Sequence, residues 1–313
     1  MDFQSGGIRP IGNVEEGWGL IKSDYWLFFA MTLVSALIVL AVFFVLSFVF
    51  GAISSLISVG LGVATQNAND IGKVSASVAP QLISQVLSIF TGLITATLSG
   101  LLTCGIYTAL SRKANGGIPQ FSDLFEGFKY FQQCLIFSLI ITLIHFVINV
   151  VFILIGVALG VSAFGAGLLT TRNGKFDPSV LAPIIGVVVV MALIYIVIFS
   201  VIGVCTFFTY PLIAERKLSA IGALKESAKA GISNFFSLIG LFIIQFFIAL
   251  GGALLCGIGI LFVLPILSAT IFAAYLSVFG RTPQVGQQMP PTPDSFGGDY
   301  GRPNYGGQNY GGM

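Results

Sequence analysis

Hydrophobic and polar positions along this chain alternate in long blocks, and one block sequence occurs three times. From Leu218 the chain reads LSAIGALKESAKAGISNFF, with Ile221, Leu224, Ala228, Ile232 and Phe235 three or four apart and Lys225, Glu226 and Lys229 opposite. That spacing predicts a helix with one apolar stripe and one charged face. No Asp, Glu, Lys or Arg follows between Lys229 and Arg281. Such a run is too long for one span, because a hydrocarbon core of about 30 Å takes roughly 20 helical residues. The glycines at 251, 252, 257 and 259 divide it into two spans. The unit is therefore an amphipathic interfacial helix followed by a membrane hairpin.

Two earlier segments follow the same plan. VEEGWGLIKSDYWLFF places Val14, Trp18, Ile21 and Tyr25 on one helical face, and FSDLFEGFKYFQQCLIF does so for Phe121, Leu124, Phe125 and Phe128. Aligning Glu16, Glu126 and Glu226 sets EGW beside EGF and SDYW beside SNFF. The second spans end alike, with Tyr107, Tyr210 and Tyr275 each followed by basic residues. These matches predict three copies of one supersecondary unit, at about 14–113, 121–217 and 218–280. The expected fold is an all-α polytopic membrane domain over 1–280, with six transmembrane helices arranged as three hairpins.

Two uncharged runs, 25–69 and 130–171, exceed one bilayer thickness. A span with a helical or re-entrant extension on the far side is expected for the first. The segment 65–80 is read as the first outer loop, and TTRNGKFDP as the second. Asp123 and Glu126 have the N-cap to N3 spacing of a capping box. Residues 281–313 are rich in Gly, Pro, Gln, Asn and Tyr, with tyrosines at 300, 305 and 310, and are read as a disordered tail. It serves either to solubilise or to associate weakly through its tyrosines.

Composition agrees with this pattern. A mean hydropathy of +0.98 with 8% charged residues lies far from the charged fraction of about 25% in soluble domains. The net charge of +2 says nothing of nucleic acid, and none is expected as a partner. Asp2, Glu15, Glu16 and Asp24 precede any apolar stretch, so the first span is expected to act as the targeting signal. Six crossings put Arg9, Lys22, Arg112, Lys113, Lys129, Arg216, Lys217, Lys225, Lys229, Arg281 and Arg302 on one side. Only Lys73, Arg172 and Lys175 fall on the other. Both termini are therefore expected in the cytoplasm. The interfacial helices would then meet the anionic inner leaflet, with Arg112, Lys113, Lys129, Arg216, Lys217, Lys225 and Lys229 as candidate headgroup contacts.

Little chemistry is visible inside the spans. The four cysteines, at 104, 134, 205 and 256, lie in apolar runs without CxxC spacing and read as packing residues. No metal or cofactor site is expected. His145, the sole histidine, sits on a polar stripe of the third span with Ser138, Thr142 and Asn149. A second stripe in the second span carries Ser84, Ser88, Thr91, Thr95 and Ser99. Interhelical hydrogen bonding accounts for both, and a polar pathway between helices is the alternative. A lone histidine without an acidic partner gives no recognisable catalytic set.

Cys256-Gly257-Ile258-Gly259, Pro265 and Tyr275 resemble the closing hairpin of uncharacterised bacterial six-helix membrane proteins. These are similar to the YciC family and to the membrane domain attached to some glycerophosphodiester phosphodiesterases. The resemblance implies a bacterial inner-membrane location and supplies no activity. The expected function is non-enzymatic: organising membrane, or binding lipid or a partner, with association of copies or of another protein through the tail. The alternative is a transporter or channel for a lipid or small weakly polar solute.

Overall fold

The computed structural model describes residues 7–64, 70–158, 181–254 and 259–280. Every described element is helical. The order is α1 (Pro10–Ile21), α2 (Tyr25–Ala64), α3 (Asp70–Ala114), α4 (Asp123–Glu126), α5 (Phe131–Ala158), α6 (Leu181–Thr206), α7 (Thr209–Arg216), α8 (Ala220–Ser233), α9 (Phe235–Leu254) and α10 (Gly259–Phe279). Short 3-10 turns link α1 to α2 and α4 to α5. Six of these helices, α2, α3, α5, α6, α9 and α10, are long and apolar enough to cross a membrane. The chain is thus a multi-pass membrane protein. The tail at 281–313, the segments 65–69 and 159–180, and Cys256 lie outside the described residues.

The described part of the first overlong run forms one continuous helix. α2 has 40 residues, which at about 1.5 Å per residue reaches some 60 Å, twice the hydrocarbon thickness. Its partner α3 has 45 residues and begins at Asp70, so most of the segment expected as a loop over 65–80 is helical. α9 and α10, with 20 and 21 residues, match a single bilayer crossing of about 30 Å.

Buried side chains collect where the short helices meet the ends of the long ones. Phe28 and Met31 of α2, Leu101 to Leu110 of α3, Cys134 of α5, Val204 and Phe208, Leu212 of α7, Leu238 of α9 and Phe272 to Phe279 of α10 share one cluster. Beyond Thr32, no described side chain of α2 is buried, and none of α6 is before Val204. Those stretches expose Phe44, Phe48 and Leu56, and Val188, Leu193 and Val197. In water such surfaces would be a liability; in lipid they are the ordinary solvent-facing side.

The long helices meet in neighbouring pairs. α2 packs along α3 and α9 along α10, while α3 also meets α5 and α7. Between α5 and α6 the contact is aromatic: His145 stacks on Phe199 at 4.9 Å, and Phe152 meets Tyr195 edge-on at 5.3 Å. The join of α1 to α2 carries an aromatic group in which Trp18, Trp26 and Phe29 surround Tyr25. The Tyr25 hydroxyl donates to the Phe262 carbonyl of α10 at 2.7 Å.

Candidate functional site

The short segments at the ends of the long helices share one construction. α1, α8 and the turn after α4 each bring small residues against a long helix. In α1 the buried residues are Asn13, Gly17 and Ile21, and α1 lies along α10. A Cβ on Gly17 would stand 2.7 Å from the Thr270 backbone nitrogen. Gly127, after α4, presses on α3 so closely that a Cβ would overlap the Leu101 carbonyl oxygen, and one on Gly105 would overlap that of Leu124. In α8 the buried face is Ala220, Ala223, Ser227, Ala230 and Gly231. Gly231 meets the Val204 carbonyl of α6 in the same way.

The large apolar residues of the predicted stripes mostly face outward. Leu124 and Ile21 are buried, but Trp18 is 44% exposed, Phe125 48% and Ile232 63%. Phe121, Phe125 and Phe128 form an exposed row of rings. The apolar-inside rule fails here for a physical reason. Where lipid is the solvent, large side chains lose nothing by facing it, and the inside is reserved for residues that let backbones approach.

Ser227 has a further task. α6 stops at Thr206 and α7 starts at Thr209, because Pro211 cannot continue a helix past the Phe207 carbonyl. The Phe208 N–H left by this break donates to the Ser227 hydroxyl oxygen at 3.0 Å, and both residues are buried.

Several candidate headgroup residues are held by protein partners. Arg112 pairs with the fully buried Asp123 at 2.8 Å and with Glu126 at 3.4 Å. Lys113 pairs with Asp24, and Lys129 with Glu126 at 3.1 Å. Arg216 donates to the Tyr275 hydroxyl at 3.2 Å and to the Phe279 carbonyl, and lies over the Phe279 ring at 5.4 Å. Lys217, in the left-handed conformation that ends α7, is exposed, as are Lys225 and Lys229 on α8. The expected capping box does not form. Ser122 is the N-cap without a capping side-chain bond, its hydroxyl donating to the Gln120 side-chain oxygen at 3.4 Å, while Asp123 accepts from the Gln120 N–H at 2.9 Å and pairs with Arg112. A nearby arginine won the carboxylate from the helix end.

The two polar stripes go separate ways. Ser84, Ser88 and Thr91 of α3 line a groove of about 810 Å³ together with Ser47, Ser54, Ser55 and Ser58 of α2. Thr95 and Ser99 line a smaller one of about 350 Å³ with Ser35. The α2 serines were not singled out from sequence, although Ser47, Gly51, Ser54 and Ser58 carry the same four-three-four spacing. In α5, Ser138 is buried, Thr142 half-buried and Asn149 exposed. The Asn149 amide donates to the His145 carbonyl at 2.8 Å, so the two side chains do not pair. The His145 Nε2 has no partner among the described residues.

Cys104 and Cys134 bring two buried thiols to 3.7 Å across α3 and α5. Among the described residues no group of three or more His, Cys, Asp or Glu side chains is placed to hold a metal. Comparison with protein-family models, curated proteins and solved structures finds no match to this chain.

Proposed function

We propose that the chain is a non-enzymatic protein of a bacterial inner membrane that organises lipid, or a lipid-bound partner, along its cytoplasmic face. In this reading α2–α3, α5–α6 and α9–α10 are three hairpins, each introduced by an interfacial helix, with both termini in the cytoplasm. The observation that carries it is the sidedness of α1, α4 and α8. α1, α8 and the turn after α4 seat small residues on a long helix and leave large apolar side chains outward. On α8 the exposed Ile221 and Ile232 adjoin the exposed Lys225 and Lys229 around the helix. A helix with apolar side chains next to lysines suits the boundary between acyl chains and anionic headgroups. Near such a surface each basic residue contributes about 1 kcal/mol.

The aligned glutamates support the threefold repeat. The residue after each is Gly17, Gly127 or Ser227, and each is the buried contact to a long helix, α10, α3 and the α6–α7 break respectively. Association of copies or of another protein through residues 281–313 is part of the same proposal.

Native mass spectrometry of the protein extracted with its lipids tests the reading. Anionic phospholipid should be retained over zwitterionic lipid. Changing Lys225 and Lys229 to Gln should reduce that retention without altering insertion. Equal retention of both lipid classes by the unaltered protein would overturn the proposal.

A further inference from the structure

The groove between α2 and α3 belongs to no part of that interfacial reading, and its lining is chemically specific. Ser47, Ser54 and Ser58 of α2 face Ser88 and Thr91 of α3, with Gly51 and Gly92 leaving room. A volume of about 810 Å³ falls in the usual range for small-molecule sites, about 300–1,000 Å³. Among the described residues no ionisable side chain lines it. α2 also exposes Phe44, Phe48 and Leu56, so the groove opens among apolar surfaces.

Its hydroxyls are unequally satisfied. Ser55 donates to the Gly51 carbonyl at 2.9 Å, Ser58 to Ser54 at 2.8 Å, Ser88 to Gln85 at 2.7 Å and Thr91 to Leu87 at 3.1 Å. Such bonds return each proton to the helix that bears it and leave the oxygen able to accept. The Ser47 and Ser54 hydroxyls make no hydrogen bond among the described residues. They lie two turns apart on the groove side of α2, and an unpaired hydroxyl in an apolar setting is costly.

We propose that this groove binds a neutral lipid with a hydroxyl-bearing head, of the diacylglycerol type. Such a head both donates and accepts, matching a lining of free hydroxyls and acceptor oxygens, and its chains match the Phe43, Phe50 and Val59 walls. A phosphate would find no cation among the described lining residues to offset its charge. A helix from another chain, its backbone bonds already internal, could satisfy Ser47 and Ser54 only through polar side chains of its own.

The test uses the full chain in liposomes with a diacylglycerol carrying a photoreactive group on one acyl chain. Adducts should map to residues 43–59 and 84–92. Gly51→Leu with Gly92→Leu fills the groove, and since a Cβ at either position meets nothing within 4 Å, the fold should be kept. Labelling should then fall about fivefold or more, and Ser47→Ala with Ser54→Ala should lower it about threefold. Unlabelled diacylglycerol should compete, and phosphatidylglycerol in about tenfold excess should not. Undiminished labelling of the filled variant, or equal competition by phosphatidylglycerol, would assign the adducts to bulk lipid and overturn the proposal. So would disulfide-linked dimers of Gly51→Cys in a background without the native cysteines, which would give the groove to a second copy.

Discussion

Replacing Ser227 with alanine separates two accounts of α8. If α8 merely rests on the bundle, the change is harmless, since alanine favours a helix over serine by roughly 0.5 kcal/mol. If Ser227 repairs the break between α6 and α7, the change strands the Phe208 N–H, a buried donor whose acceptor is the Ser227 oxygen at 3.0 Å. Leaving such a group unsatisfied costs about 1–3 kcal/mol. Subtracting the gain in propensity leaves a net loss of about 0.5–2.5 kcal/mol. Unfolding in a mixed-micelle denaturant titration reads this directly, with Ser233→Ala, an exposed position on the same helix, as the control. Amide hydrogen exchange adds a local measurement, because the Phe208 N–H should lose protection while the core of α10 should not. Ser227→Thr discriminates further: it keeps the acceptor but adds a methyl group to a packed face, so stability falls while Phe208 stays protected. A Ser227→Ala protein as stable as its control, with Phe208 still protected, would refute the repair.

Gly127→Ala should destabilise by about 1–3 kcal/mol or more, since its Cβ would overlap backbone. Gly92→Ala, in open space, should be neutral or stabilising by about 0.5–1 kcal/mol, and the same titration compares them. Arg112→Leu leaves the buried Asp123 carboxylate without its cation. With Arg112 one-third exposed, the loss should sit near the lower end of the roughly 3–5 kcal/mol range for broken buried pairs, and Asp123→Asn in the same chain should restore part of it. His145→Ala should remove the stack on Phe199 at about 0.5–1.5 kcal/mol, whereas Asn149→Leu, at an exposed site, should be tolerated. In a cysteine-free background, Asp70→Cys should react with an impermeant thiol reagent added outside cells and Gly116→Cys should not; the reverse would invert the topology.

The six long helices were legible because lipid imposes a length and excludes charge, and both constraints are written locally. The inward faces of α1, α4 and α8 were not. Periodicity locates Trp18, Phe125 and Ile232 on stripes, but whether a stripe meets protein or lipid depends on the solvent. The more telling signal lay in Gly17, Gly127 and Gly231. The protein partners of the basic residues were hidden for a different reason. Lys113 finds Asp24, and Arg216 finds Tyr275, across separations that local spacing cannot reveal. The α3 serine stripe was found, yet its partner on α2 was hidden within a run whose hydropathy pointed only to a span.

The contacts of the short helices bear on how such a chain can be stable with so little buried along its spans. α1 seats on α10, α4 on α3 and α8 on α6. If the three aligned segments are copies of one unit, as proposed, each entry helix rests on the second long helix of the unit before it, and the first rests on that of the last. The ring closes only when the end of the chain returns to its beginning, through Gly17 against Ala269 and Thr270 and Asn13 donating to Ser277 at 3.3 Å. No hairpin then carries the main seat of its own entry helix, and the shared core cannot be completed before α10 is made. Lipid gives almost no hydrophobic drive to bring spans together. Stability must come instead from close backbone contact at glycines and from polar pairs at the helix ends, and it is there, not along the lipid-facing stretches, that the buried residues are found.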